Sequence, residues 1–119
     1  MVRAASAKAA NPFESVLRAI AIDVPRLQPV PQGAVGPRFH ADVADAALRI
    51  ALEAESFEFH ALPEAFRHDI RRYTEMTRQG WLVVRFVWED VMERPAYVRG
   101  VLVDLVTLRQ QEAVHGAVG

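Results

Sequence analysis

Residues 42–60 read DVADAALRIALEAESFEFH. Asp42 sits in one short apolar run, a tight turn follows near Asp45–Ala46, and a second run carries Glu53 and Glu55 and ends near His60. Side chains two apart on a strand share a face of the sheet. The pattern predicts a hairpin of Phe39–Ala44 with Leu48–Phe57, in which Glu53 and Glu55 project together while Leu48, Ile50, Leu52 and Ala54 pack on the other side. Carboxylates inside a buried hairpin are costly unless something compensates them. A hard divalent cation, Mg²⁺ or Mn²⁺, would do so, because such ions take carboxylate oxygens and keep several waters. The plainer reading of the same acids is an exposed hairpin edge with solvated side chains.

Working outward from the hairpin, Pro63 permits a helix to begin, and Phe66, Ile70, Tyr73 and Thr77 lie at helical spacing up to Gly80, which is placed to stop it. The stretch Trp81–Trp88, WLVVRFVW, is aromatic, β-branched and almost wholly apolar, as expected of a strand buried on both faces. Strand, helix and strand in that order predict a parallel pair with a right-handed crossover. On the N-terminal side, Asn11, Pro12 and Glu14 form a helix start, with Glu14 able to reach back to the cap, and Phe13, Leu17 and Ile20 give an apolar stripe through Ile22. Four prolines and two glycines in residues 23–38 predict an irregular connection, or a broken edge strand around Leu27–Gln32. A last helix starts at Pro95, faces the core with Val98, Val101 or Leu102, Leu105 and Leu108, and frays from Gln110. The expected fold is α/β (α+β): one mixed central sheet flanked by helices near 12–22, 64–79 and 95–109. The hairpin and Trp81–Trp88 stand at its centre. Residues 1–11 read as a tail, 12–109 as the domain, and 110–119 as a frayed end.

The 119 residues are 51% hydrophobic, enough for one core. The net charge of −1 predicts no general attraction to nucleic acid, yet the acids concentrate in residues 41–64 between two basic segments. That arrangement suits an anionic ligand held through a metal, and equally a solvated mixture of charges. Lys8 is the only lysine. With no cysteine, disulfides, zinc–thiolate sites and a cysteine nucleophile are excluded. No apolar run approaches the roughly 18–20 residues that span a membrane. The cytoplasm is the expected location.

Asp42, Glu53 and Glu55 are the candidate metal ligands. A cation held there would stabilise charge on a scissile phosphate and lower the pKa of a bound water. His60, directly after the acidic strand, suits a general base or a phosphate contact; a lone histidine at a strand end is more often structural or merely exposed. Arg72, on the helix after Pro63, can reach phosphate, although an exposed helical arginine is the more ordinary reading. Arg85 interrupts an apolar strand, and a buried arginine must be paired, either with the acid cluster or in a structural ion pair. Glu14 either leans into the site or only caps its helix.

The strings RFHADVAD, LRIALEAESFEFH and RHDIRRYTEMTRQGWLVVRFVWEDVMERP, in this order, resemble the Vsr-like branch of the PD-(D/E)xK nucleases, the proteins related to the very short patch repair endonuclease, over roughly residues 12–108. The resemblance implies a restriction-endonuclease-like fold, Mg²⁺-dependent (or Mn²⁺-dependent) hydrolysis of DNA phosphodiesters, and DNA as partner. It places the first catalytic Asp on Asp42, the Glu-x-Asp element on Glu53-Ala54-Glu55, and the following His on His60. The Gly-aromatic-x-Val-x-Arg-Phe strand falls on Gly80 through Phe86, and an acid of the first helix on Glu14. Glu55 stands where the group usually has Asp, Ser56 where many members have Gly, and the wider superfamily's lysine is absent, as it generally is in this branch. Many such proteins also carry an N-terminal winged-helix region of the kind seen in antitoxins. This chain leaves no room for one, so a stand-alone or shortened copy is expected. The alternative function is a catalytically degenerate nuclease-fold module that binds DNA or a protein partner.

Overall fold

The computed structural model describes residues 12–55 and 63–118, with side chains to residue 114. Eight elements follow one another: α1 (Pro12–Ile22), β1 (Val30–Val35), β2 (Phe39–Asp45), β3 (Ile50–Ala54), α2 (Pro63–Arg78), β4 (Leu82–Phe86), α3 (Trp88–Glu93) and α4 (Pro95–Val118). They build an α+β fold with one four-stranded mixed sheet in the order β1-β2-β3-β4. β1, β2 and β3 are antiparallel neighbours, and β4 joins β3 in parallel.

The alternation in the hairpin sorts the core into two layers. Ile50 and Leu52, with Leu48, Ala54, Leu82, Val84 and Phe86, face α1, α3 and α4, where they meet Leu17, Ala21, Val91, Val98 and Leu102. Ala44, Ala51 and Val83 face the other way, against Met76 of α2 and Trp81. β3 is thus covered on both faces, as a strand in parallel pairing usually is.

Three expectations change. The Pro- and Gly-rich stretch does form a strand, β1, displaced to Val30–Val35; as an edge strand it tolerates Pro31. The strand expected over Trp81–Trp88 is shorter and lies at the sheet's other edge, not its centre. It stops at Phe86 because the Asp90 carboxylate accepts the Val87 N–H at 3.0 Å and opens α3, which leaves Trp88 half exposed. The last helix does not end near Gln110 but runs to Val118. Arg109 ties it down by donating to the carbonyls of Leu48 at 2.6 Å, Arg49 at 3.1 Å and Gly80 at 2.6 Å. α3 and α4 are separate because Pro95 pushes Arg94 out of helical geometry, to φ −132°.

Gly80 links α2 to β4 at φ +86°, in the left-handed region. A Cβ there would meet Arg49 Nη1 at 3.0 Å. Gly80→Ala is expected to cost roughly 1–2 kcal/mol, nearly all from the backbone, since the Arg49 side chain can move aside. Urea denaturation with an unchanged m-value checks this.

Candidate functional site

The β2–β3 ladder runs from Asp45↔Ile50 to Val43↔Leu52. Beyond it, side chains take over from backbone pairing. The Ala54 N–H donates to Asp42 Oδ2 at 2.8 Å, and the Asp42 N–H donates to Glu53 Oε2 at 3.3 Å. The two strands are thereby cross-linked by carboxylates, Glu53 on the Asp42 amide and Asp42 on the amide that follows Glu53. The strand is irregular here: Ala41 and Ala44 both reach the α2-side layer while Val43 reaches the opposite one, and the facing Gln32 has φ +52°. Bulge-like breaks of this kind re-aim side chains.

α2 closes over these acids with polar residues. Phe66 and Ile70 point outward, each about half exposed, whereas Asp69 is 7% exposed and Arg72 and Tyr73 are partly buried. Burying Asp69 is tolerable because it is satisfied twice. Arg72 donates to it at 3.1 Å, and Arg85 forms an ion pair with it. Arg72 also forms an ion pair with Glu53 and donates to the His40 carbonyl at 3.3 Å. Arg85 holds both Glu55 oxygens, at 2.7 and 2.8 Å, and lies over the Tyr73 ring with its guanidinium carbon 4.7 Å from the centroid. Tyr73 donates to the Val83 carbonyl at 3.1 Å. The arginine in an apolar strand is thus paired, as it must be.

The structure brings together Asp42, Glu53, Glu55, Arg72 and Arg85, and Glu14 lies close enough to feel their charge. Gln32 donates to Glu14 at 3.4 Å across from α1. His60 lies outside the described residues. Asp69 was missed by sequence reasoning; the signal for it was the demand of Arg85 for a carboxylate. Asp45, the other buried acid of the hairpin, is structural: it accepts the N–H groups of Gln28 at 2.8 Å and Leu48 at 2.9 Å.

Burial raises the pKa of Asp42, opposed by the Ala54 N–H and reinforced by the charge of Glu14. Glu53 is likewise pushed up by burial, against the pull of Arg72. Glu14 is raised by burial and by the charge of Glu53. For Asp69 burial works the same way, but the hydrogen bond from Arg72 and the charge of Arg85 outweigh it, and its pKa falls. The raised groups bind protons more tightly folded than unfolded, so their stabilising contribution is complete below the unfolded value and is lost as pH rises through the folded one. Asp69 acts oppositely: its contribution is present above the ordinary carboxylate range and is lost as pH falls through its depressed value. The melting temperature of the metal-free protein is therefore expected to rise as pH falls from 7 toward about 5, and to drop below about 4. Calorimetry across that range checks it; a steady fall from neutrality would contradict it.

Asp42 and Glu53 have the chemistry to hold a divalent cation. Among the described residues no three acid or histidine side chains converge as a cage made only of protein would require. Mg²⁺ needs less, since one or two carboxylates serve when water and substrate oxygens complete its shell. Among the described residues Arg72 and Arg85 pair with Glu53, Glu55 and Asp69, while Asp42 and Glu14 stand beside them on an amide N–H and on Gln32.

No family model and no solved structure matches the chain. Two curated proteins of Mycobacterium tuberculosis, one from strain CDC 1551 / Oshkosh and one from strain H37Rv, both described as uncharacterized, are each 34% identical to it over 95 residues. The match covers 76% of this chain and 35% of each relative, so the chain spans about a third of the length of the curated relatives it matches. Among the described residues no helix is long and apolar enough to cross a membrane.

Proposed function

We propose that this domain is a Mg²⁺-dependent (or Mn²⁺-dependent) endonuclease of the Vsr-like type, acting on DNA phosphodiesters. The observation that carries the reading is the pair of carboxylates, Asp42 on the Ala54 N–H and Glu53 on the Asp42 N–H, beside the carboxyl ends of a parallel strand pair, where open α/β sheets place their ligands. Asp42 and Glu53 hold the cation. When bound, it supplies Lewis-acid stabilisation of phosphoryl charge and a more acidic water. Arg72, at the rim of the pair, orients Glu53 and offers a phosphate contact. Arg85, fully engaged by Glu55 and Asp69, fixes the carboxyl end of β3. Glu14 adds negative potential from the far side.

DNA binding by such a site is weak and salt-sensitive, because the chain carries a net charge of −1 and phosphate contacts come from a few arginines. The deciding experiment incubates the protein with supercoiled plasmid and with single- and double-stranded oligonucleotides, in Mg²⁺, Mn²⁺ or EDTA. Metal-dependent nicking is expected; its absence in both metals on every form sinks the catalytic reading.

A second reading is favoured by one specific observation: Glu53, a proposed metal ligand, already has a guanidinium seated on it. Together with Glu55 in place of Asp, this suits a degenerate module that binds DNA or a protein without hydrolysis. Such a module keeps salt-sensitive binding without nicking.

A further inference from the structure

Arg72 is bound in an unusual way for a surface-helix arginine. Its guanidinium touches three acceptors from three elements: Glu53 on β3, Asp69 on its own helix, and the His40 carbonyl on β2. The Glu53 oxygen it takes, Oε1, is not the one that accepts the Asp42 N–H. A cation shared by Asp42 and Glu53 would compete for that oxygen. Arg85 faces no such competition, since its partners are Glu55 and Asp69.

We propose that Arg72 is a built-in counter-ion for Glu53 which an arriving divalent cation displaces, and that Asp69 is the positioning residue that keeps the displaced guanidinium beside the site. The inference rests on the metal-binding reading above. A single positive charge gives way to a double one, and repulsion drives the guanidinium off Glu53. The Asp69 bond does not depend on Glu53, so Arg72 pivots about it and does not leave. Asp69 itself is held by Arg85, which sits against the Tyr73 ring and both oxygens of Glu55. A guanidinium released next to a bound cation is placed to pair with a phosphate oxygen, where its planar fork is well matched. Metal binding and anion binding are thus coupled, each making the other easier.

The test measures Mg²⁺ and Mn²⁺ binding by calorimetry in the full chain, with the arginine variants Arg72→Gln and Arg78→Gln alongside wild type, Arg78 being paired with Glu75 at the exposed end of α2. Removing the competing charge is expected to tighten cation binding roughly tenfold in Arg72→Gln, the magnitude of one charge-assisted hydrogen bond. Arg78→Gln should leave it within about twofold, and Arg72→Lys, which keeps a charge, should fall between. In the wild type, ¹⁵N spectra of the arginine side chains supply a second readout that needs no variant. The Arg72 Nε signal should move on adding Mg²⁺ while that of Arg85 stays. Equal affinities for wild type and Arg72→Gln, or an unmoved Arg72 signal in a metal-saturated protein, overturn the exchange even if the enzyme cleaves DNA. Binding by Arg72→Gln but not by wild type supports it while turning the functional reading toward the degenerate module. No cation binding by either protein overturns both.

Discussion

Replacing Asp42 by Asn is expected to lower Mg²⁺-dependent DNA cleavage by about a hundredfold or more, while the metal-free protein melts at the same temperature or higher. The two effects share one cause. Asp42 is a partly buried acid facing other acids, with a backbone N–H rather than a guanidinium as its hydrogen-bond donor. Asn keeps an oxygen for the Ala54 N–H and removes the charge, so the apo state is relieved of desolvation and repulsion. With metal present the same change deletes a charged ligand, and losing even a supporting group of a metal site costs about 10–100-fold. Glu53→Gln should also abolish cleavage but should not stabilise, because Arg72 then loses a partner. Melting curves with and without Mg²⁺, beside plasmid nicking, separate these outcomes. Full activity in Asp42→Asn would remove Asp42 from the metal site.

Asp69→Ala should be the most damaging substitution of a polar residue, costing about 3–5 kcal/mol, the range for breaking a buried pair and leaving charge uncompensated. Asp69 is 7% exposed and holds two arginines at once. Its loss sets two like charges side by side beneath α2 with only Glu53 and Glu55 to balance them. Against a typical total stability of about 5–15 kcal/mol this is a large fraction. Asp69→Asn retains one acceptor and should cost less. Chemical denaturation, with Arg85→Gln for a double-mutant cycle, measures the coupling. A cost below about 1 kcal/mol would mean that water screens the network as it does an exposed ion pair.

The hairpin layer was legible because Leu48, Ile50, Leu52 and Ala54 alternate with polar or small residues, and strands keep that period. Pro63 and Gly80 marked the α2 boundaries to within a residue or two, since each punctuates the chain through its own backbone geometry. The inner face of α2 was not legible from periodicity, for a physical reason. Phe66, Ile70, Tyr73 and Thr77 satisfy a helical period, but what a helix buries depends on what the sheet offers, and the sheet offers Glu53, Glu55 and Arg85. Asp69 and Arg72 win the inner position through ion pairs that no periodicity reveals. The edge position of β4 was equally hidden, because a run of apolar residues does not distinguish a strand flanked by helices from one flanked by strands; here Leu82, Val83 and Val84 are only half-buried. The cluster of Asp42 with Glu53 and Glu55 followed directly from hairpin register, whereas Asp69 needed the third dimension.

The amides of Asp42 and Ala54 are engaged by carboxylate side chains instead of by carbonyls. Their protons are thus the molecule's own indicators. In an amide spectrum these two resonances should report the occupancy and protonation of the acidic pair directly, without a label, a substrate or a substitution, and their hydrogen-exchange rates should rise whenever either carboxylate lets go.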